Sequence, residues 1–256
     1  MNTEAFAGSR LRIQWAKESL ADFERCANVY FKRAPCEVFI EPDPDGIHER
    51  YKFRICKPLP LALTKHTIHA VEDLRAALDL AACDVARCIP GISVDGIYFP
   101  FCRTSGDLKG RINGVCKGLP TDITDLFARY EPYAGGSDLL FAMNELCKAS
   151  KHKLLVPVAS VVGVNLPHLE TSDVISSPIR FMDGVYGGEE DEITFAVTQR
   201  GLKWKYKAQF SFGIQFGKVG IIEGRDVRAN VDGMIRAVTM IVNETEAESR
   251  RLGLLK

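Results

Sequence analysis

The chain has 256 residues, room for one large domain or two small ones. Lys plus Arg and Asp plus Glu number 33 each, so the net charge is zero and no global field pulls the chain toward nucleic acid. Hydrophobic residues at 46% and charged residues at 26% are an ordinary globular balance, with no low-complexity tract and no repeat.

The first residues, M-N-T-E-A-F-A-G-S-R, carry Glu4 early and lack an apolar stretch of the kind that directs secretion. The eight Cys, at positions 26, 36, 56, 83, 88, 102, 116 and 147, contain no C-x-x-C, so structural zinc is not expected and the thiols read as reduced in a cytoplasmic protein. Leu11 to Phe31 reads as a helix, because Ile13, Ala16, Leu20, Phe23, Ala27 and Tyr30 step by three and four. Trp15 stands beside that stripe, and Pro35 closes the helical zone. Residues 36–57 read as a β-hairpin, with E-P-D-P-D-G as its turn.

His66 to Ala86 is the strongest helix former in the chain, rich in Ala and Leu without Gly or Pro. Ile68, Val71, Leu74, Leu78, Ala81, Ala82, Val85 and Ile89 form its apolar stripe. Glu72, Arg75 and Asp79 run along one edge of the stripe at three- and four-residue steps, so both acids can reach the arginine. His66, His69 and Asp73 fall on the opposite side. There Asp73 can hold the His69 imidazole in one tautomer. Two readings stand side by side: a helix with a charged margin, or a polar site between packed helices built on Arg75 and a histidine.

Pro90-Gly91 breaks this helix, and residues 91–106 look irregular around Tyr98-Phe99-Pro100-Phe101, an apolar knot suited to capping a helical core or, as the lesser alternative, to lining a ligand pocket. Short helices are expected at 107–117 and 121–130. Another helix, N-capped by Ser137 or Asp138, follows to about Ser150. Lys151-His152-Lys153 falls at its C-terminal turn, where the helix dipole favours cations. The longest apolar run, Leu154 to Leu166, is interrupted by Pro157 and Asn165 and too short to span a bilayer, so no membrane partner is expected.

From Leu154 the texture is that of strands. Ile193, Phe195 and Val197 alternate with Thr194, Ala196 and Thr198. In 203–216 the aromatic and aliphatic residues from Trp204 to Phe216 alternate with Lys203, Lys205, Lys207, Gln209, Ser211 and Gln215, the pattern of an antiparallel strand with one wet face. Arg200-Gly201 reads as the turn between these strands. Lys203, Lys205 and Lys207 share one face, a ladder that either guards the sheet in water, offset by Glu189-Glu190-Asp191-Glu192, or tracks the phosphates of RNA or DNA. Asp226 can cap a final helix with Val227, Val231, Met234, Val238, Ile241 and Val242 as its stripe and an exposed polar tip, E-T-E-A-E-S-R-R.

The expectation is therefore one α+β domain over residues 1–256. It has a helical, bundle-like layer mainly in 1–150 with the 36–57 hairpin, an antiparallel sheet over 154–224 that the hairpin can extend, and a C-terminal helix over 226–250.

V-E-D-L-R-A-A-L-D-L, Val71 to Leu80, resembles a widespread set of uncharacterised bacterial proteins whose helix reads roughly L-H-N-L-R-S-A-L-D-H. An F-P motif and a D-K-H-R-L-like motif follow in that set, matched in order by Phe99-Pro100 and by Lys151-His152-Lys153-Leu154. The resemblance covers about residues 66–156. That family helix is similar to the R-x4-6-H signature of HEPN-type ribonucleases, helical bundles that cleave RNA with Arg and His on one helix, usually across a dimer. The likeness implies a HEPN-like core, with Arg75 in the place of the arginine. It also puts Leu80 where the His would stand, and no R-x4-6-H spacing occurs in the chain.

Three functions are in play. A non-catalytic binding or regulatory module on a HEPN-like core fits the missing histidine. An RNA- or phosphoester-cleaving enzyme would need Arg75 against a phosphate oxygen and His69 or His152 to move a proton, with Asp73 and Asp79 as candidate binding residues beside them. A structural protein would use its strand edges or final helix to meet a partner, for instance a second copy in a homodimer. No sequence signature of a metal site, P-loop, dinucleotide fold or serine nucleophile is present, so no cofactor is expected.

Overall fold

In a computed structural model of the chain, the structure describes residues 5–33, 36–150, 157–171, 180–181, 192–202, 204–217 and 222–255. The fold is α+β. The chain divides into two compact units that interleave along the sequence: Met1–Glu24, Ala62–Val156 and Phe216–Lys256 form one, Arg25–Leu61 and Pro157–Gln215 the other. The first is helical and the second carries the strands.

The helical unit is built around α2 (Leu61–Arg87), which contains the Ala- and Leu-rich stretch. Its expected stripe is buried at Val71, Leu74, Leu78, Ala81, Ala82 and Val85. Thr64, Thr67, Ala70, Ala77 and Ala86 are buried too, so the helix is covered on more than one side. Small residues at those extra positions let neighbouring chain approach closely. α1 (Ala7–Lys32) is joined to α2 by Arg12, whose Nη1 donates to Asp73 Oδ1 at 2.7 Å. Ahead of α1, the Phe6 amide donates to Asp84 Oδ2 at 3.0 Å and the Phe6 ring is fully buried.

After α2 come α3 (Ser105–Val115), α4 (Thr121–Arg129), α5 (Asp138–Ser150) and α6 (Val227–Arg251), close to their expected places. Ser137 Oγ accepts from the Leu140 amide at the start of α5. Asp226 Oδ1 accepts from the Ala229 amide at 2.7 Å at the start of α6. α6 packs on α4 and α5 through Val231, Met234, Val238, Ile241 and Val242. Its polar tip is exposed at Glu244, Ala247, Arg250 and Arg251, but Thr245 and Ser249 are fully buried, and each hydroxyl donates to the carbonyl four residues back, at 2.7 Å. Returned to their own helix, these hydroxyls need no water, and the apolar stripe runs on to the helix end.

In the second unit β1 (Cys36–Pro42) and β2 (His48–Ile55) form the expected hairpin, with Val38 opposite Phe53 and Ile40 opposite Tyr51. The turn is held by Asp45, whose Oδ1 accepts from the amides of Ile47 and His48 at 2.8 and 2.9 Å. Gly46 takes the positive φ of +75° that this turn requires.

The strands expected over 154–224 do not form a single sheet, but the hairpin does extend part of them. β5 (Glu192–Gln199) leaves that group and pairs antiparallel with β2 and with β4 (Arg180–Phe181), giving the order β1-β2-β5-β4. β3 (Pro157–Thr171) and β6 (Trp204–Phe216) form a separate two-stranded sheet. The turn at Arg200-Gly201 is present, but it passes the chain from one sheet to the other. β5 lies inside its sheet, and Ala196 and Thr198 are buried along with Phe195, which explains why simple alternation misjudged which residues face water.

One face of this sheet carries an ion-pair ladder. Glu192 accepts from Lys52 Nζ at 3.2 Å and from Arg54 Nε at 2.9 Å, while Glu41 meets Lys52 and Glu37 meets Arg54. Glu192 was expected to offset the lysines of 203–207; here it is committed to β2.

Candidate functional site

The polar site of the helical unit is a cavity of about 610 Å³. α2 supplies Arg75 and Asp79, one turn apart on the rim of its apolar stripe. The irregular segment after α2 supplies Tyr98 and Phe101, and α3 supplies Arg111. α5 adds Asn144, Cys147 and Lys148, at steps that place all three on one helical face.

Arg75 is the most constrained of these side chains. It forms an ion pair with Asp79, and both are largely covered, with side-chain exposures of 18% and 24%. Its Nη1 is buried against Asp79 Oδ2, a contact that is ionic more than a well-directed hydrogen bond. Its Nε donates to Asn144 Oδ1 at 3.2 Å, and its guanidinium lies 4.4 Å from the centre of the Phe101 ring. A guanidinium over an aromatic face is attractive and keeps its plane fixed. Asn144 is itself buried, which makes its carbonyl a committed acceptor.

Asp79 has a second role. Its Oδ1 accepts from the Phe99 amide at 2.9 Å, so one carboxylate ties the Phe99-Pro100-Phe101 knot to α2 while holding Arg75. The knot is further pinned by the Tyr98 amide on Val115 O at 3.0 Å, and Phe99 packs on Phe101 and Phe127, both at 5.0 Å between ring centres. Two thiols finish it: Cys83 donates to Ile97 O and Cys116 to Tyr98 O. Burial pushes the Cys116 thiol up to about 12, and the thiol serves the knot as a buried donor. Cys147 likewise donates to Val71 O.

The charges of the cavity are unequal. Asp79 offsets Arg75, and Lys148 pairs with Glu145 at 2.6 Å. Arg111 is exposed and makes no hydrogen bond or ion pair among the described residues. The arrangement offers a fixed cation, a free cation, an amide and two aromatic rings to a ligand, and no histidine among its described walls.

The other expected site residues fall elsewhere. Asp73 is not the partner of His69: it is taken by Arg12 of α1, a permanently charged donor. His69 is exposed and makes no hydrogen bond or ion pair among the described residues. Six residues along α2 put it about 120° round the helix from Arg75. Glu72 accepts from Ser150 Oγ at 2.9 Å instead of joining Arg75. His152 and Lys203 lie outside the described residues, as do the side chains of Lys205 and Lys207 on β6.

The sequence singles out Arg75, Asp79 and the knot that holds Phe101, but not Asn144 or Arg111. Asn144 left a signal, a lone amide in the α5 stripe between Leu140 and Cys147. Arg111 left none, since nothing in a short polar helix marks which cation faces a cavity.

Among the described residues no group of three or more His, Cys, Asp or Glu is placed to hold a metal ion, and no helix is long and apolar enough to cross a membrane. Comparison with protein-family models, with curated proteins and with solved structures finds no match.

Proposed function

We propose that the chain is a non-catalytic binding or regulatory protein on a HEPN-like helical core, and that the Arg75 cavity takes a small anionic ligand. The observation that carries this reading is the contrast between Arg75, locked by Asp79, Asn144 and Phe101, and Arg111, exposed and unpaired on the same cavity. A locked guanidinium orients a ligand at little entropic cost, and an unpaired one supplies the net charge that draws an anion in. The volume of about 610 Å³ falls in the usual range of small-molecule sites, roughly 300–1,000 Å³.

The cleaving-enzyme reading shares Arg75 but asks for a histidine beside it, and the described walls hold none. Isothermal titration with inorganic pyrophosphate tests the binding reading, together with incubation of the protein with a short RNA. Binding that weakens about tenfold in Arg111→Gln, the loss of roughly 1.4 kcal/mol, with the RNA left intact, supports it. Binding indifferent to Arg111→Gln counts against it. Cleavage of the RNA that disappears in Arg75→Lys would replace it with the enzyme.

A further inference from the structure

A second cavity, of about 520 Å³, lies wholly within the strand-bearing unit and has a different character. Its walls are mainly apolar: Val29 and Tyr30 near the end of α1, and Pro58 and Pro60 from the segment between β2 and α2. Among the described residues its charged lining is cationic, with Arg25 and Arg33 on α1 and the turn that follows it, and Lys57 on the facing segment. Arg25 and Val29 stand one helical turn apart on α1, and Arg33 follows in the turn just after it, so an exposed valine lies among the cations of the cavity.

The site is preformed. The Tyr30 hydroxyl donates to Lys57 O and fastens the two walls together, and the two prolines stiffen the segment that carries Lys57. Arg33 and Lys57 are exposed and form no hydrogen bond or ion pair through their side chains among the described residues. The helix dipole accounts for a cation at the end of α1, but not for Lys57, which belongs to another segment. It also does not account for Val29, half exposed beside them. Arg33 and Lys57 converge on an apolar cleft with no acid among its described lining and repel each other, and an anion with an apolar body relieves that repulsion while covering the cleft.

We propose that this cavity binds an amphipathic organic anion, an aliphatic carboxylate of the medium-chain acyl class. Its head sits on Arg33 and Lys57, and its chain lies along Val29, Tyr30 and the two prolines. This site is separate from the Arg75 cavity, and the fate of either proposal leaves the other standing.

The test is isothermal titration of the full chain with decanoate, decan-1-ol and inorganic phosphate, each against wild type and the double variant Arg33→Gln, Lys57→Gln. Both substitutions fall on exposed side chains, and circular dichroism checks that the fold is kept. Decanoate should bind wild type. The alcohol and phosphate should each bind at least about tenfold more weakly, as expected when a charge-assisted hydrogen bond or the apolar packing is removed. The double variant should lose about tenfold in decanoate affinity, and Val29→Asp should lose as much. Absence of decanoate binding, equal binding of decan-1-ol or of phosphate, or decanoate affinity unchanged in the double variant each overturns the proposal.

Discussion

Arg75 shows what a single side chain contributes when every group around it is committed. Removing it leaves Asp79, three-quarters covered, with the Phe99 amide and no cation. Because the pair is partly exposed, Arg75→Ala should cost about 1–3 kcal/mol, less than a fully buried pair and more than a surface one. A shift in urea midpoint corresponding to less than about 0.5 kcal/mol would place the residue among ordinary surface positions. Asp79→Ala should be the more damaging of the two, since it releases both Arg75 and the Phe99 amide.

Asp45 gives a pH prediction at the same scale. A hydrogen bond from the His48 side chain, then the amides of His48 and Ile47, hold its carboxyl down to about 2. A carboxyl lowered on folding stabilises the hairpin turn above its ordinary range, near 3.8, and that contribution disappears as pH falls toward 2. A carbon-13 titration should find Asp45 still ionised at pH 3, and His48→Ala should return it toward the ordinary range. An Asp45 midpoint near 3.8 in the wild type would remove the turn from any account of acid stability.

At the scale of elements, α6 has one clear determinant at its start. Asp226→Ala removes the acceptor of the Ala229 amide and should cost about 1 kcal/mol, while Asp226→Asn should cost little. Leu74 and Leu78, fully buried on α2, should each cost about 2–5 kcal/mol when cut to Ala. Chemical denaturation of the four variants checks the ranking, and an Asp226→Asn loss equal to that of Asp226→Ala would show that the cap is not what starts the helix.

The helices were legible in the sequence because their signals are local: period, cap and breaker all lie within a few residues of one another. Most strands were legible for the same reason, though the two-residue β4 was not. Strand partners were not. β5 sits next to β6 in sequence yet pairs with β2 and β4, because pairing is decided by which faces need cover and not by proximity along the chain. Asp73 teaches the same point within a helix. His69 stands one turn away, but Arg12 arrives from α1 with a fixed charge and takes the carboxylate.

Over the whole molecule, zero net charge means that any binding of RNA or DNA is local and strongly salt dependent. The proposed role of Lys203, Lys205 and Lys207 in such binding is tested by changing all three to Gln. The slope of log affinity against log salt should then fall by about 0.7–0.9 for each phosphate that a lysine no longer neutralises. Wild type that shows no retention of RNA or DNA in about 50 mM salt, where phosphate binding is strong, would leave the ladder as the wet face of a strand.

By itself the sequence determined the α+β class, the order and approximate limits of the six helices, the hairpin with its Asp-rich turn, and the pairing of Arg75 with an acid one turn away. All of these depend on residues close together in the chain. Only the tertiary structure decided that the chain folds as two interleaved units and that the strands divide into two sheets. Only it brought Asn144, Phe101 and Arg111 round Arg75 and set Lys57 facing Arg33 across an apolar cleft. Those arrangements join side chains from segments far apart in sequence. Burial of apolar faces selects them, and it is satisfied only when the whole chain has packed.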